Sequence, residues 1–389
     1  MDLRWTAGQA AFRAQARAWL EANVPRELPS GTREAHQALL RWERLMHEAR
    51  WGVVAWPRRY GGRDATIWEW LIFEEEYYRA GGPHRVTQNG IFLLAPALFE
   101  FGTRQQQDRY LPAIAAARDL WCQGWSEPGA GSDLAAVRAT ATRDEARGGW
   151  LLSGQKTWTT RGSFCTHLFG LFRTGSAPGA APGQGQGRRH QGLTYFLVAL
   201  DTPGITVRGF ARLDGDEEFA DVFFDRAFVP DDAVLGQVGQ GWSVAMATTG
   251  SERGLTLRSP GRFLASAGRL IELYRQRPDP APDDLALRDR VVQAWIDAQA
   301  YNLFTLQQVT AIAGGDARPA AESSLNKLFW SEADLRLHET ALALLGPEAE
   351  LDGPWARGFL FALAGPIYAG TNEVQRNVVA ERLLGLPRR

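Results

Sequence analysis

Residues 150–160, WLLSGQKTWTT, and residues 219–229, FADVFFDRAFV, decide how the chain is read. Both are short, rich in aromatic and β-branched residues, and bounded by glycine or proline, which is the texture of a strand. Segments 167–173, 193–201 and 205–210 repeat it, so a small β domain is expected over residues 122–233. Outward in both directions the period changes. Leu39, Trp42, Met46 and Ala49 recur at helical steps, as do Ile67 and Leu71, with a turn at Tyr60-Gly61-Gly62 between the two runs. Thr103 with Gln106 forms a capping box that predicts a helix reaching about Asp119. Past Gly236, Val291, Trp295, Ala298 and Leu306 share one stripe and Leu325, Phe329 and Leu335 the next, stopped by Gly346-Pro347. The expected architecture is α+β and multidomain: an N-terminal helical domain (1–121), a middle β-barrel or sandwich domain (122–233), and a C-terminal helical bundle of four-helix type (234–389). Strands and helices do not alternate, which disfavours a doubly wound nucleotide fold.

The bulk numbers exclude several classes. The chain has 389 residues, 45% hydrophobic, with Lys+Arg at 43 against Asp+Glu at 44, so it has no net field to gather nucleic acid or anionic lipid. Lys156 and Lys327 are its lysines, and arginine supplies every other basic side chain. At the level of sequence that bias reads as codon usage without functional weight. Cys122 and Cys165 read as free thiols of a reducing cytoplasmic compartment rather than as a secreted disulfide framework. Residues 1–24 have helical spacing interrupted by charges, and no apolar run reaches about eighteen residues, so no membrane span is expected. The six histidines lack metal-ligand spacing, since His47-Glu48 and His338-Glu339 have no second histidine four positions on. Residues 175–190, GSAPGAAPGQGQGRRH, read as a surface loop whose basic end (Arg188, Arg189, His190) is better explained as a solvated tip than as a phosphate contact.

Three segments carry chemical interest. Residues 126–135, SEPGAGSDLA, combine small and flexible residues suited to close backbone approach to a ligand, or else form a tight turn capped at Asp133. The Gly129-Ala130-Gly131 fragment lacks the third glycine and flanking elements of a dinucleotide fingerprint. Residues 154–162, GQKTWTTRG, set Trp158 beside the hydroxyls of Thr159 and Thr160, either as one wall of a flat aromatic ligand or as an ordinary core tryptophan. Residues 366–387, PIYAGTNEVQRNVVAERLLGLP, lead through an Ala-Gly turn into an amphipathic helix, whose start is either an anion-facing terminus or a plain cap.

In this order, and with AWPRRYGG (55–62), FADVFFDRAFVP (219–230) and ERLLGLP (381–387), these segments resemble the acyl-CoA dehydrogenase family over nearly the whole chain. The resemblance implies FAD as cofactor and removal of an α proton and a β hydride from an acyl thioester, carried on CoA or on acyl carrier protein. Electrons would pass to an electron-transfer flavoprotein, and the assembly would be a homodimer or homotetramer. It also implies that Gln123, Trp125, Ser126, Gly131 and Ser132 face FAD, with Ser132 near the CoA portion. Trp158, Thr159 and Thr160 would flank the isoalloxazine, and Thr371 and Glu373 would lie near the ribityl and adenosine region. Gly250, Arg253 and Gly370 would contact substrate, and the N–H of Ala369 would bond the thioester carbonyl.

The pattern departs from the family where many members carry a catalytic glutamate, because Ala369 stands there. Members similar to the isovaleryl-CoA and long-chain enzymes place the glutamate before an arginine on the first helix after the β domain. Ser251-Glu252-Arg253-Gly254 matches that arrangement, which makes Glu252 the expected base. Pro260 is expected inside the same helix, bending it. The family's FAD pyrophosphate segments are altered, leaving Arg275 or Arg277 as substitutes. Two other readings accompany the first: a flavin oxidase or monooxygenase on the same fold, and a non-catalytic partner in a mixed assembly.

Overall fold

The computed structural model describes residues 4–29, 32–175, 190–213, 215–253, 259–277, 285–315 and 322–387; most of the 175–190 loop lies outside them. The helices are α1 (Ala7–Asn23), α2 (Thr32–Glu48), α3 (Ile67–Arg79), α4 (Ala95–Phe101), α5 (Arg104–Ala115), α6 (Gly241–Arg253), α7 (Pro260–Arg275), α8 (Leu285–Ala313), α9 (Glu322–Leu345), α10 (Pro354–Ala362) and α11 (Asn372–Val378). The strands are β1 (Trp121–Gly124), β2 (Thr140–Asp144), β3 (Gly149–Thr160), β4 (His167–Arg173), β5 (Leu193–Ala199), β6 (Ile205–Phe210), β7 (Phe219–Pro230) and β8 (Val234–Leu235). Reciprocal capping boxes start α1, α3 and α5, at Thr6/Gln9, Thr66/Glu69 and Thr103/Gln106. The third was expected from sequence, although its helix stops at Ala115, where a turn places Ala117 at φ 51°. No helix among the described residues is long and apolar enough to cross a membrane.

These elements group into two compact units that interleave along the chain. One comprises Leu28–Arg63 and His84–Glu252. Its sheet runs β6-β7-β3-β2-β4-β5-β8, with β1 added in parallel to β4. Leu152, Phe172, Phe196, Val222, Phe224 and Val229 interdigitate as its core. Helix α5 is fastened to it by Gln106, whose Nε2 donates to the carbonyls of Asp232 and Val234, both at 2.8 Å. Strands β4 and β6 occupy the spans expected from sequence, while β1, β2 and β8 are additions too short or too polar to show a period of their own.

The other unit comprises Met1–Glu27, Asp64–Pro83 and Arg253–Arg389. Here α1 packs on α3, α3 on α7, and α7 on α8 and α9, around Phe263, Leu270, Tyr301, Trp330, Leu337 and Ala341. A Cβ at Gly261 would lie 2.8 Å from the Cα of Glu75, so the start of α7 lies directly against the α3 backbone. Pro260 does not interrupt a helix, contrary to the sequence expectation. Residues 241–253 form one helix and Pro260 opens the next at its first position, behind the Ser259 cap, where its missing N–H would have had no partner.

Glu76 ties α1 to α3. Its fully buried carboxylate accepts from Arg13 (2.8 Å), Arg17 (2.9 and 2.8 Å) and Arg79 (2.7 Å). Burial pushes the Glu76 carboxyl up, but hydrogen bonds from Arg17, Arg79 and Arg13 outweigh it and bring the group down to about 2 from 4.5. Between those values the unfolded chain binds more protons than the folded one. The stabilisation from Glu76 is therefore complete above pH 4.5 and is lost as pH falls through 2. Glu76→Gln should lower the urea midpoint at neutral pH and flatten its decline over the same acid window. Parallel midpoint-against-pH curves for parent and variant would refute this.

Candidate functional site

In the β-sheet unit, the site residues gather where β1 leaves the sheet and β3 ends. The turn after β1 is closed by reciprocal bonds, Glu127 N–H to Ala130 O at 2.9 Å and Ala130 N–H to Glu127 O at 3.0 Å. The N–H of Thr157 donates to Ser126 O at 2.9 Å, which joins this turn to β3 one residue before Trp158. A Cβ at Gly129 or Gly131 would meet nothing within 4 Å, and neither glycine has a positive φ. Neither packing nor backbone conformation within the chain demands glycine at these two positions, which leaves the backbone there open to close approach from outside. Ser132 is exposed, Gln123 and Ser126 are half-buried, and Trp125 is buried with its Nε1 lacking an acceptor. Asp133 heads a short turn at Leu134–Ala136 without a side-chain cap bond to it.

The pairing of β3 with β7 slips between Lys156 and Thr159. That irregularity takes Trp158 to φ 55° and leaves its indole 62% exposed, braced edge-on by Phe210 at 5.3 Å and Phe219 at 5.7 Å. A large aromatic surface held rigidly at the end of a strand suits a flat ring stacked or laid against it. Thr160 is half-buried on the same stretch. Thr159, where the pairing resumes after that irregularity, is turned inward and fully buried, its Oγ1 without a partner, so its hydroxyl does not share the surface that Trp158 exposes. Beyond Thr160, Arg161 (φ 58°) donates to Arg85 O at 2.9 Å and pairs with Glu218 at 3.3 Å.

The helix carrying Gly250, Glu252 and Arg253 is anchored on β5. Its first residue, Gly241, comes so close that a Cβ would lie 2.7 Å from the Leu193 carbonyl. Thr248 Oγ1 is 3.4 Å from the Tyr195 hydroxyl, and Val244 and Ala245 are fully buried. The side chains of Glu252 and Arg253 lie outside the described residues.

In the helical unit, Ala369 (φ 57°) and Gly370 (φ 79°) make a left-handed turn into α11. Thr371 caps that helix through Val374 N–H at 3.3 Å, and Glu373 projects into solvent beside it. Sequence reasoning passed over Asn372, which fixes the turn: its buried Oδ1 accepts from Lys327 Nζ at 2.6 Å and from Ser331 Oγ at 3.1 Å. Gln375, also buried, donates from Nε2 to Gly370 O at 3.2 Å. Arg275 pairs with Glu272 at 2.8 Å on an exposed stretch of α7.

The donor set of the β-sheet unit fits a flavin: an open indole face, a turn with open space beside Gly129 and Gly131, and polar groups at its margin. Comparison with known proteins agrees. Models of acyl-CoA dehydrogenases match the chain in three consecutive parts, the N-terminal domain at residues 6–118, the middle domain at 122–227 and the C-terminal domain at 239–384. The chain is 39% identical over 392 residues to acyl-CoA dehydrogenase IpdE1 of Mycobacterium tuberculosis, covering 97% of both. It is 36% identical to acyl-CoA dehydrogenase FadE34 of the same organism, over 87% of this chain and 45% of that one. Among solved structures, a chain of the ChsE4-ChsE5 complex from M. tuberculosis matches with a TM-score of 0.83 at 25% identity, covering 100% of both.

The Asn372 network yields a direct test. Asn372→Ala removes the 2.6 Å acceptor of the buried Lys327 ammonium. Hydrogen bonds to charged groups contribute about 1.5–3 kcal/mol, so a lowered thermal midpoint is expected. An unchanged midpoint would show that the turn is held by other contacts.

Proposed function

Because this chain belongs to the acyl-CoA dehydrogenase family, we propose that it desaturates an acyl thioester between its α and β carbons with bound FAD. The product is the trans-2-enoyl thioester, and the electrons leave to an electron-transfer flavoprotein. The observation that carries this reading is the exposed, aromatic-braced Trp158 joined through Thr157 and Ser126 to the Gly129–Gly131 turn. Trp158 would cover one side of the flavin ring, with Thr160 and the margin of the 123–132 segment at its polar edges. By the family resemblance, the roles of Thr371 and Glu373 would be at the cofactor's ribityl and adenosine end, and that of Ser132 at the CoA portion of the substrate. FAD, when bound, supplies the acceptor for the β hydride.

The α proton needs a base, and Ala369 has none. We assign that role to Glu252 at the C-terminal end of α6, with Arg253 following it and Gly250 and Gly370 toward substrate. A thioester α proton is weakly acidic, so the carbonyl oxygen must be stabilised as negative charge grows on it. The N–H of Ala369 is suited to that part. The decisive experiment mixes the purified protein with acyl thioesters, from short branched to long and polycyclic, on CoA and on carrier protein, and follows anaerobic bleaching of the flavin band. At least one should bleach it, and Glu252→Gln should slow that bleaching by about two orders of magnitude or more. Bleaching at the parental rate would remove Glu252 as the base. Trp158→Ala should weaken FAD retention without unfolding the chain, because the indole is mostly exposed.

A mixed assembly is the second reading. The similar ChsE4-ChsE5 structure is a complex of two different chains, and here the family's usual glutamate position holds alanine. Under this reading the chain purified alone remains colourless after FAD is added and gains flavin only with a partner.

A further inference from the structure

Of 43 basic residues two are lysines, and both are fully buried, Lys156 and Lys327 at 0% exposure. A codon preference that replaces lysine by arginine wherever either will serve leaves lysine where the shape of an ammonium is required. Lys156 meets that description. Its Nζ donates to Leu171 O at 2.7 Å, to Glu127 Oε1 at 2.8 Å and, longer, to Trp125 O at 3.4 Å. The three acceptors come from β4 and from two points of the turn after β1, and they use all three ammonium hydrogens. The ammonium also lies over the Phe172 ring, 4.9 Å from its centroid. A guanidinium holds its donors in one plane and needs more room, so it does not substitute.

Glu127 passes the restraint on. Its Oε1 also accepts the Ala139 N–H at 2.9 Å and its Oε2 the Arg138 N–H at 2.6 Å, which fastens the turn to the start of β2. Trp125 and Glu127 are thus pinned from inside. Among the described residues, the N–H groups of Gly129, Gly131 and Ser132 donate to nothing, so the outward side of the turn keeps its donors for a ligand.

We infer that Lys156 is a positioning residue for the flavin, holding the 125–132 turn through Glu127 and the Trp125 carbonyl so that its outward backbone meets the cofactor. The inference rests on the reading of that turn as flavin-facing. It differs from a purely stabilising role in what it moves: cofactor affinity and the flavin spectrum, in protein that is still folded.

The test is equilibrium dialysis of the full-length chain against FAD at low temperature, with the visible flavin spectrum, circular dichroism and amide exchange of residues 126–133 recorded on the same samples. Lys156→Met should raise the FAD dissociation constant about tenfold or more, shift the flavin band and speed exchange in the turn. Lys156→Arg should not restore the parental values. If Lys156→Met does not fold, Glu127→Gln, which keeps Oε1 as an acceptor but loses the one for Arg138, should move the same readouts less far. Faster exchange with FAD affinity within about twofold of the parent would overturn the inference, as would full rescue by arginine. Gly131→Val, which fills the open space outside the turn with a side chain, separates the premise from the inference. If it weakens FAD binding and Lys156→Met does not, only the positioning role fails; if neither does, the flavin-facing reading of the turn fails as well.

Discussion

An ammonium sealed inside the β-sheet unit, with a carboxylate 2.8 Å away, sets the terms for everything around it. Desolvation lowers the proton affinity of Lys156 to about 8, and the Coulombic pull of Glu127 only partly restores it. Buried pairs of this kind rarely stabilise a fold more than well-packed apolar residues of equal volume would, yet breaking one partner alone costs about 3–5 kcal/mol. Such a pair is therefore a poor source of net stability and a strong constraint on geometry. Its geometry here fixes where the chain goes after β1, and so where the turn lies relative to Trp158. The bulge that exposes Trp158 and the pair that fixes the turn sit two residues apart on β3, so one strand positions both.

The helical unit solves a comparable problem with different chemistry. Glu76 takes three arginines where Glu127 takes one lysine and two backbone amides. Arginine suits the first case, since its fork can approach a carboxylate from several sides and its stem can run to the surface, as Arg17 and Arg79 do. Around Asn372 the second buried lysine returns, again aimed at a turn rather than at a helix face.

Much of this was legible in the sequence. The strands at 167–173 and 205–210 and the capping box at Thr103 follow from local rules, because period and cap chemistry act within a few residues. The three candidate segments were legible as motifs. What escaped was long-range. Nothing near Lys156 announces that its partner is Glu127, 29 positions earlier, and Asn372 looks like an ordinary residue of the first helical turn until Lys327, 45 positions away, is brought to it. The inward turn of Thr159 was hidden too, since a bulge changes which of two neighbouring hydroxyls meets solvent and bulges leave little trace in composition. One signal was available and discounted: the lysines of an arginine-rich chain.

The alanine at position 369 bears on the chemistry in a way its backbone clarifies. A non-glycine residue in the left-handed region carries about 1–2 kcal/mol of strain, and Ala369 at φ 57° carries it already. A glutamate there would add little further backbone strain, and a glycine would relieve it. Alanine is thus neither the conformational optimum nor a residue that the backbone conformation forces. A dehydrogenase of this family needs its base on one side of the substrate α carbon. In the reading proposed above that base is Glu252, which belongs to the helix that Gly241 and Thr248 anchor on β5, and alanine at 369 supplies none. The turn itself is held by the hydrogen bonds of Asn372 and Gln375, none of which involves the side chain at 369.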